Sequence, residues 1–350
     1  MIKRKTILFC FLLAASSVAY TEPMKFQLDD DPILRGVDLT LQGELSVYAA
    51  GEITPGTTER FKTFVRNHKI DSVRVFFDSP GGSLVEGMEL GETIRALSFS
   101  TAVGSQKAHS PHMAICASAC AYSFAGGVFR YLSKDTGRLG VHQFYGQSNT
   151  SISAENAQRL SGEIVAYLDK MGVNATAFSL STLADKDGII WLTPTLAIDL
   201  HFANNGALPT TSELKMLSMV PYLKLEQVTS RSTARVLMLC ADKTIFLRYG
   251  IVTDQRSATD MSDPSWLKRS YLEFDSETKF PVNGVTGIKT SDATIWIDRQ
   301  LTVSDVQGML RAKEIDGWLD GFGALRWGAQ MDLSNIRPSI INYAKQCYGI

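Results

Sequence analysis

The stretch that most constrains this chain is Ala114–Gly127, AICASACAYSFAGG. It carries no charge and is built mostly of alanine, serine, cysteine and glycine. Such a run lets backbones approach closely and leaves room beside its central hydroxyl, Ser118, which is flanked by Ala117 and Ala119 and then by Cys116 and Cys120. From Ser118 onward the pattern predicts a buried helix that Gly126–Gly127 ends, since serine is a good first residue and alanine a good helix former. Capping that helix is the plain role for Ser118. A second role is open if the chain also supplies a base and oxyanion donors, because a serine hydroxyl alone is a weak nucleophile.

Two other stretches meet that requirement. Upstream, Ser72–Phe77 reads as a strand rich in β-branched and aromatic residues. It runs into Asp78-Ser-Pro-Gly-Gly-Ser83 and then a helical pattern carrying Leu84, Val85, Met88, Leu90, Ile94 and Leu97. A strand, a glycine-rich turn and a helix aim backbone N–H groups at whatever sits above the turn. Downstream, Leu139-Gly-Val-His-Gln143 holds His142 in a strand-like run. The other histidines are His68, His109, His112 and His201, of which His109 and His112 fall in a polar loop.

The N-terminus sets the compartment. Lys3-Arg4-Lys5, an apolar run from Ile7 to Ala15 and the small-x-small Ser17-Val18-Ala19 form the pattern of a secretory signal peptide over residues 1–19, cut after Ala19. No other run approaches bilayer length, so the mature chain is expected to be exported, periplasmic or secreted, with no stable membrane span. Export makes the remaining cysteines Cys116, Cys120, Cys240 and Cys347 candidates for disulfides. Ser334–Cys347 reads as a helix with Cys347 on its inner side, and Cys240 is the other cysteine of that region, so a Cys240–Cys347 bridge is expected, closing a long loop. Cys116 and Cys120 either pack the helix start or form a short-range bridge, their i,i+4 spacing lying near the upper limit of disulfide geometry.

Over residues 37–207 strands alternate with helices, which predicts a layered α/β domain. Thr57–Asn67 reads as a helix from Phe61, Phe64 and Val65, and Ser153 begins a long helix. Residues 208–232 read as a linker. Residues 233–350 read as a smaller α+β domain that starts with a hairpin around Ala241-Asp-Lys243. With a net charge of −1 the chain offers no electrostatic footprint for nucleic acid. No phosphate loop, His-Glu-x-x-His or Gly-x-Ser-x-Gly elbow is present, and no cofactor or metal is expected.

Asp78-Ser-Pro-Gly-Gly-Ser83, Ala117-Ser-Ala119 and Gly140-Val-His-Gln143, in this order and spacing, resemble the Clp-type serine proteases, most closely exported, periplasmic relatives of that family. The resemblance covers roughly residues 37–207, and the family shares its superfold with the crotonases. It implies a ClpP/crotonase-like domain over residues 20–207 and a serine peptidase acting on peptide or protein. It places Ser118 at the nucleophile, His142 at the general base, and Gly82 (or Gly81) and Ala119 at the oxyanion hole. The family's acid precedes the strand that here reads Ile189–Leu192, which makes Asp187 the expected third member and Asp185 the alternative; a solvated Asp-Lys-Asp-Gly turn is the bland reading of both. Relatives commonly assemble into rings or trimers, and self-association of this chain stays open. The rival readings are a peptide-binding or scaffold protein that keeps the fold without catalysis, and a crotonase-like acyl hydrolase, which an exported location disfavours. A Ser–Lys dyad through Lys107 or Lys134 is a minor alternative.

Overall fold

A computed structural model describes residues 22–29, 43–104, 113–144, 153–184, 188–263, 267–283, 288–321 and 326–349. The expected signal peptide, Lys107, His109, His112 and both candidate acids, Asp185 and Asp187, lie outside the described residues. Among the described residues no helix is long and apolar enough to cross a membrane. The fold is α/β with two sheet-containing regions, each with its own hydrophobic core.

The first region runs β1 (Lys25–Leu28), β2 (Leu45–Ala50), α1 (Thr57–His68), β3 (Val73–Asp78), α2 (Leu84–Ala96), β4 (Ser100–Val103), β5 (Ala114–Ala117), α3 (Ala119–Ala125), β6 (Arg130–Tyr131), β7 (Gly137–Val141), α4 (Ala154–Lys170), α5 (Thr176–Ser181), β8 (Ile190–Leu192) and α6 (Pro194–Asp199). Five strands form one sheet in the order β1-β2-β3-β4-β6, parallel except for β1. Alternate residues of β2 and β3, namely Val47, Ala49, Val73, Val75 and Phe77, are fully buried. A smaller sheet has the order β5-β7-β8. The two sheets are sewn together at the end of β3: the Ser79 N–H donates to Ile115 O (2.7 Å), the Ala117 N–H to Ser79 O (3.1 Å) and the Ile115 N–H to Asp78 Oδ1 (3.1 Å). That seam sets the Pro80–Ser83 turn beside the start of α3.

Every residue of α3 is buried. At seven residues it is too short to hold by propensity alone, and packing must supply its stability. Gly87 and Gly91, one turn apart on α2, face it: a Cβ at Gly87 would meet Ala119 O at 2.5 Å, and one at Gly91 would meet Tyr122 O at 2.8 Å and Tyr167 Oη at 2.0 Å. Ser123 Oγ donates to Gly87 O (2.8 Å), and Tyr167 Oη, from α4, donates to Tyr122 O (2.6 Å). At the other end Arg95 and Arg130 donate to the carbonyls of Ala125 and Gly127, and Arg95 also to Gly126 O. Burial pushes the Arg130 guanidinium down to about 10, with the like charge of Arg95 adding to the effect.

The second region runs β9 (Thr211–Leu217), β10 (Val220–Val228), β11 (Thr233–Ala241), β12 (Thr244–Val252), α7 (Gln255–Ser262), β13 (Leu267–Phe274), β14 (Glu277–Asn283), β15 (Ile288–Ser291), β16 (Thr294–Leu301), α8 (Val303–Arg311), β17 (Glu314–Gly321), β18 (Arg326–Asp332) and α9 (Arg337–Tyr348). Its strands form a six-stranded sheet, β15-β16-β12-β11-β10-β9, and a four-stranded one, β14-β13-β17-β18, both antiparallel throughout. Tyr249, fully buried on β12, joins them by donating to Ala329 O on β18 (2.7 Å). Cys240 on β11 is bonded to Cys347 on α9, as expected for this region.

The stretch read as a linker, residues 208–232, is instead the first hairpin of this region, β9–β10. Leu223 and Leu225 alternate into the core. Pro221 and the polar residues at either end hide that alternation in the sequence.

The glycine contact between α2 and α3 has a measurable consequence. An alanine in a helix gains up to about 1 kcal/mol over glycine. At Gly91 overpacking costs about 1–3 kcal/mol, and loss of the Tyr167–Tyr122 hydrogen bond adds about 1 kcal/mol or more. Gly91→Ala is therefore expected to destabilise by about 2 kcal/mol in thermal or denaturant unfolding. Gly162→Ala, in α4 with nothing within 4 Å of its Cβ, is expected to leave stability unchanged or raise it.

Candidate active site

Ser118 sits at the corner between β5 and α3 with φ 57° and ψ −125°. Positive φ at a residue with a side chain is sparsely occupied and costs on the order of 1–3 kcal/mol. The corner is held from both sides: the Ser118 N–H donates to Gly140 O (3.0 Å), and the Ala121 N–H donates to Ser118 O (2.9 Å). Cys116 and Cys120 close a disulfide across it, with Cα atoms 5.1 Å apart; of the two roles open to these cysteines, the structure takes the bridge. The Ser118 side chain makes no capping hydrogen bond to α3. Ser118 therefore occupies the cap position of α3 without capping it through its side chain, at positive φ rather than in the extended backbone usual for a side-chain cap.

The Pro80–Ser83 turn lies against this corner. Gly81 has φ 102°, and a Cβ there would fall 2.6 Å from Ala117 O and 2.7 Å from Ser118 Cβ. Only glycine meets both demands. Residues following β2 clamp the turn from the other side: the Ile53 N–H donates to Gly81 O (2.7 Å) and the Ser83 N–H to Ile53 O (2.8 Å). The Gly81 N–H donates to Ser79 Oγ (3.2 Å). Of the two glycine amides, Gly82's is the one without an acceptor among the described residues, and the Ala119 N–H at the start of α3 likewise has none there.

His142 lies one residue beyond β7, whose ladder to β8 ends at the pair Val141 and Ile190, and not within a strand as its sequence context suggests. His142, Ser118, Gly81 and Gly82 line one cleft of 640 Å³. Sequence reasoning did not foresee its remaining walls. Leu84, Val85, Tyr122, Phe144 and Leu160 add apolar lining, and Glu52–Pro55 also line the cleft. Burial pushes the Tyr122 hydroxyl up to about 12. Lys134 is exposed before β7 and is not among the cleft-lining residues. Among the described residues no group of three His, Cys, Asp or Glu side chains is placed to hold a metal ion.

Glu86, on α2 behind the turn, fixes the Thr54–Thr58 segment at the cleft edge. Its carboxylate accepts from the Gly56 N–H (2.8 Å), the Thr58 N–H (3.1 Å) and Thr58 Oγ1 (3.1 Å). Burial alone raises its pKa, but the bonds from Gly56 and Thr58 outweigh that and hold it below the ordinary glutamate value.

No family model matches the chain, and no curated protein does. Among solved structures the chain resembles a variant of the 1510-N membrane-bound stomatin-specific protease, with 21% identity and a TM-score of 0.34, covering 45% of this chain and 76% of that one. A second structure of that protease, in complex with a substrate peptide, matches with 22% identity and a TM-score of 0.34 over 45% of this chain and 72% of that one. ClpP1 from Listeria monocytogenes matches with 19% identity and a TM-score of 0.34 over 45% of this chain and 88% of that one. Each is a distant likeness.

Two stability measurements test this geometry. The strain at Ser118 predicts that Ser118→Gly is more stable than Ser118→Ala by about 1 kcal/mol, because glycine adopts the native φ while alanine does not; equal stability of the two would remove the strain argument. Glu86 has a depressed folded-state pKa, so its contribution is present above the unfolded value of about 4.3 and is lost as pH falls through the folded value. The stability advantage of the wild type over Glu86→Gln, measured by denaturant unfolding, is expected at neutral pH and to shrink below about pH 4.3.

Proposed function

We propose that this chain is an exported serine peptidase whose chemistry is centred on Ser118. The observation that carries the reading is the strained corner at Ser118: its hydroxyl, not spent on capping, shares a cleft with His142 and the Gly81–Gly82 turn. Backbone strain kept in place by a disulfide and a ladder hydrogen bond is the mark of a position held for function.

In this mechanism Ser118 Oγ attacks the scissile carbonyl carbon while His142 takes the hydroxyl proton, giving a tetrahedral intermediate. The carbonyl oxygen becomes an oxyanion and accepts hydrogen bonds from the Gly82 and Ala119 N–H groups, which need no reorganisation to donate. Collapse breaks the C–N bond, and His142 returns the proton to the leaving amine. Water then repeats the sequence on the acyl-enzyme: His142 takes its proton, and Ser118 leaves with that proton restored. Asp187, or Asp185 two residues earlier, orients His142. The apolar lining of Leu84, Val85, Tyr122, Phe144 and Leu160 receives a substrate side chain. Two disulfides fit an oxidising, exported compartment.

Wild-type chain treated with a fluorophosphonate probe should be labelled at Ser118, and His142→Ala should abolish labelling. Ser118→Ala should lose peptide hydrolysis by at least about 1,000-fold while retaining the wild-type fold. Labelling elsewhere, or hydrolysis unchanged in Ser118→Ala, would overturn the assignment. Peptide binding without labelling would favour the scaffold reading.

A further inference from the structure

The hairpin β9–β10 ends the six-stranded sheet, and β9 has no partner along its outer edge among the described residues. Bare edges of this kind are normally covered, bulged or made repulsive. Here the edge is apolar as well. Leu214 is 60% exposed, Met216 60%, Leu217 63%, Met219 87% and Val220 41%. Ser212 Oγ, bonded to Ser339 Oγ on α9 (2.8 Å), anchors the start of the strand, so the exposed part is a held strand.

The backbone phase of this edge follows from the register. The hairpin closes through a two-residue turn, Ser218–Met219, on the pair Leu217 and Val220, and continues through Lys215 with Tyr222 and Glu213 with Lys224. Leu217, Lys215 and Glu213 therefore turn their N–H and C=O groups towards β10, and Ser212, Leu214 and Met216 turn theirs outward. The charge pattern is symmetric about Leu214, with an acid before it and a base after it. We infer that β9 is the self-association strand of this protein, pairing antiparallel with β9 of a second copy about a two-fold axis at Leu214.

In that register Leu214 lies opposite Leu214 of the second copy, and their outward N–H and C=O groups exchange hydrogen bonds. Glu213 lies opposite the second copy's Lys215, and Lys215 opposite its Glu213. Ser212 faces Met216, and those residues also direct their backbone groups outward. The charges select this register against its neighbours: an axis at Glu213 sets acid against acid, and an axis at Lys215 sets base against base. Opposite charges across a strand pair stabilise it and like charges destabilise it. The contact is isologous, so it closes as a dimer and leaves no β9 edge for further growth. Two six-stranded sheets become one continuous sheet, and Leu214 and Met216 of both copies meet at its centre.

The test is the mass of the full chain in sedimentation or light scattering across a concentration series, with variants that read the register. Wild type is expected at twice the chain mass. Glu213→Lys or Lys215→Glu alone sets like charges opposite each other twice per interface and should weaken dimerisation by about ten-fold or more. The double variant Glu213→Lys with Lys215→Glu restores the pattern and should return the affinity to within a few-fold of wild type, which also shows that the single variants do not act by misfolding. Leu214→Cys should form a disulfide-linked dimer on mild oxidation, since directly opposed residues in a hydrogen-bonded pair have Cα atoms about 5.5 Å apart. A wild-type monomer at every concentration would overturn the proposal. So would a dimer that is indifferent to both single charge reversals, or one that Leu214→Cys fails to cross-link. Fluorophosphonate labelling of Ser118 is an independent readout, so failure of this pairing and failure of the peptidase reading are distinguishable.

Discussion

Helix α3 can lie on the backbone of α2 because Gly87 and Gly91 present no side chain to it, and the placement of the candidate site depends on that contact. A helix of seven residues has no independent stability. It exists because α2, Tyr167 and the surrounding core hold it, and because its terminal carbonyls find donors in Arg95 and Arg130. Placing guanidinium groups there is costly in desolvation, which is why Arg130 is pushed down to about 10. The cost is offset by the number of carbonyls served, since Arg130 also donates to Met171 O (3.0 Å) and His201 O (2.8 Å). Cations at a helix C-terminus also oppose its dipole favourably.

A helix fixed so firmly can impose an unfavourable conformation on the residue that enters it. Ser118 must pass from the end of β5 into α3 within one residue, and it does so at positive φ. The Cys116–Cys120 disulfide ties the end of β5 to the first turn of α3 and spans this residue. Glycine at 118 would relieve the strain but remove the hydroxyl. Gly81 is the complementary case: the space beside Ser118 is too small for any side chain, and glycine is the residue that fits.

Much of this was legible in the sequence, and the misses have physical causes. The run of small residues from Ala114 to Gly127 marks a buried, closely packed helix whatever its function. The amphipathic spacing of Phe61 and Val65 marks α1, which the structure places at Thr57–His68. Local patterns do not show which backbone groups meet across the chain. The bonds of Ile53 to Gly81 and Ser83 are tertiary, and no local motif announces Glu52–Pro55 as a cleft wall. The apolar lining was likewise hidden, since Leu84 and Leu160 read as ordinary helix-face residues. Pro221 disguised β10, although its proline nitrogen has no N–H to contribute. The acid expected at Asp187 lies outside the described residues.

The two regions leave backbone donors open in different ways, and the side chains around them decide what can come near. At the Ser118 corner the Gly82 and Ala119 N–H groups have no acceptor among the described residues, and they are two isolated donors rather than a row. Along β9 the open groups recur at every second residue, on Ser212, Leu214 and Met216, with Glu213 and Lys215 between them. A small ligand gains little there, because it cannot satisfy a row of alternating donors and acceptors at once. A strand can, and only if its charges fall opposite those of β9 with the reverse sign. The backbone phase fixes the spacing and Glu213 and Lys215 fix the direction, and β9 meets both conditions for itself.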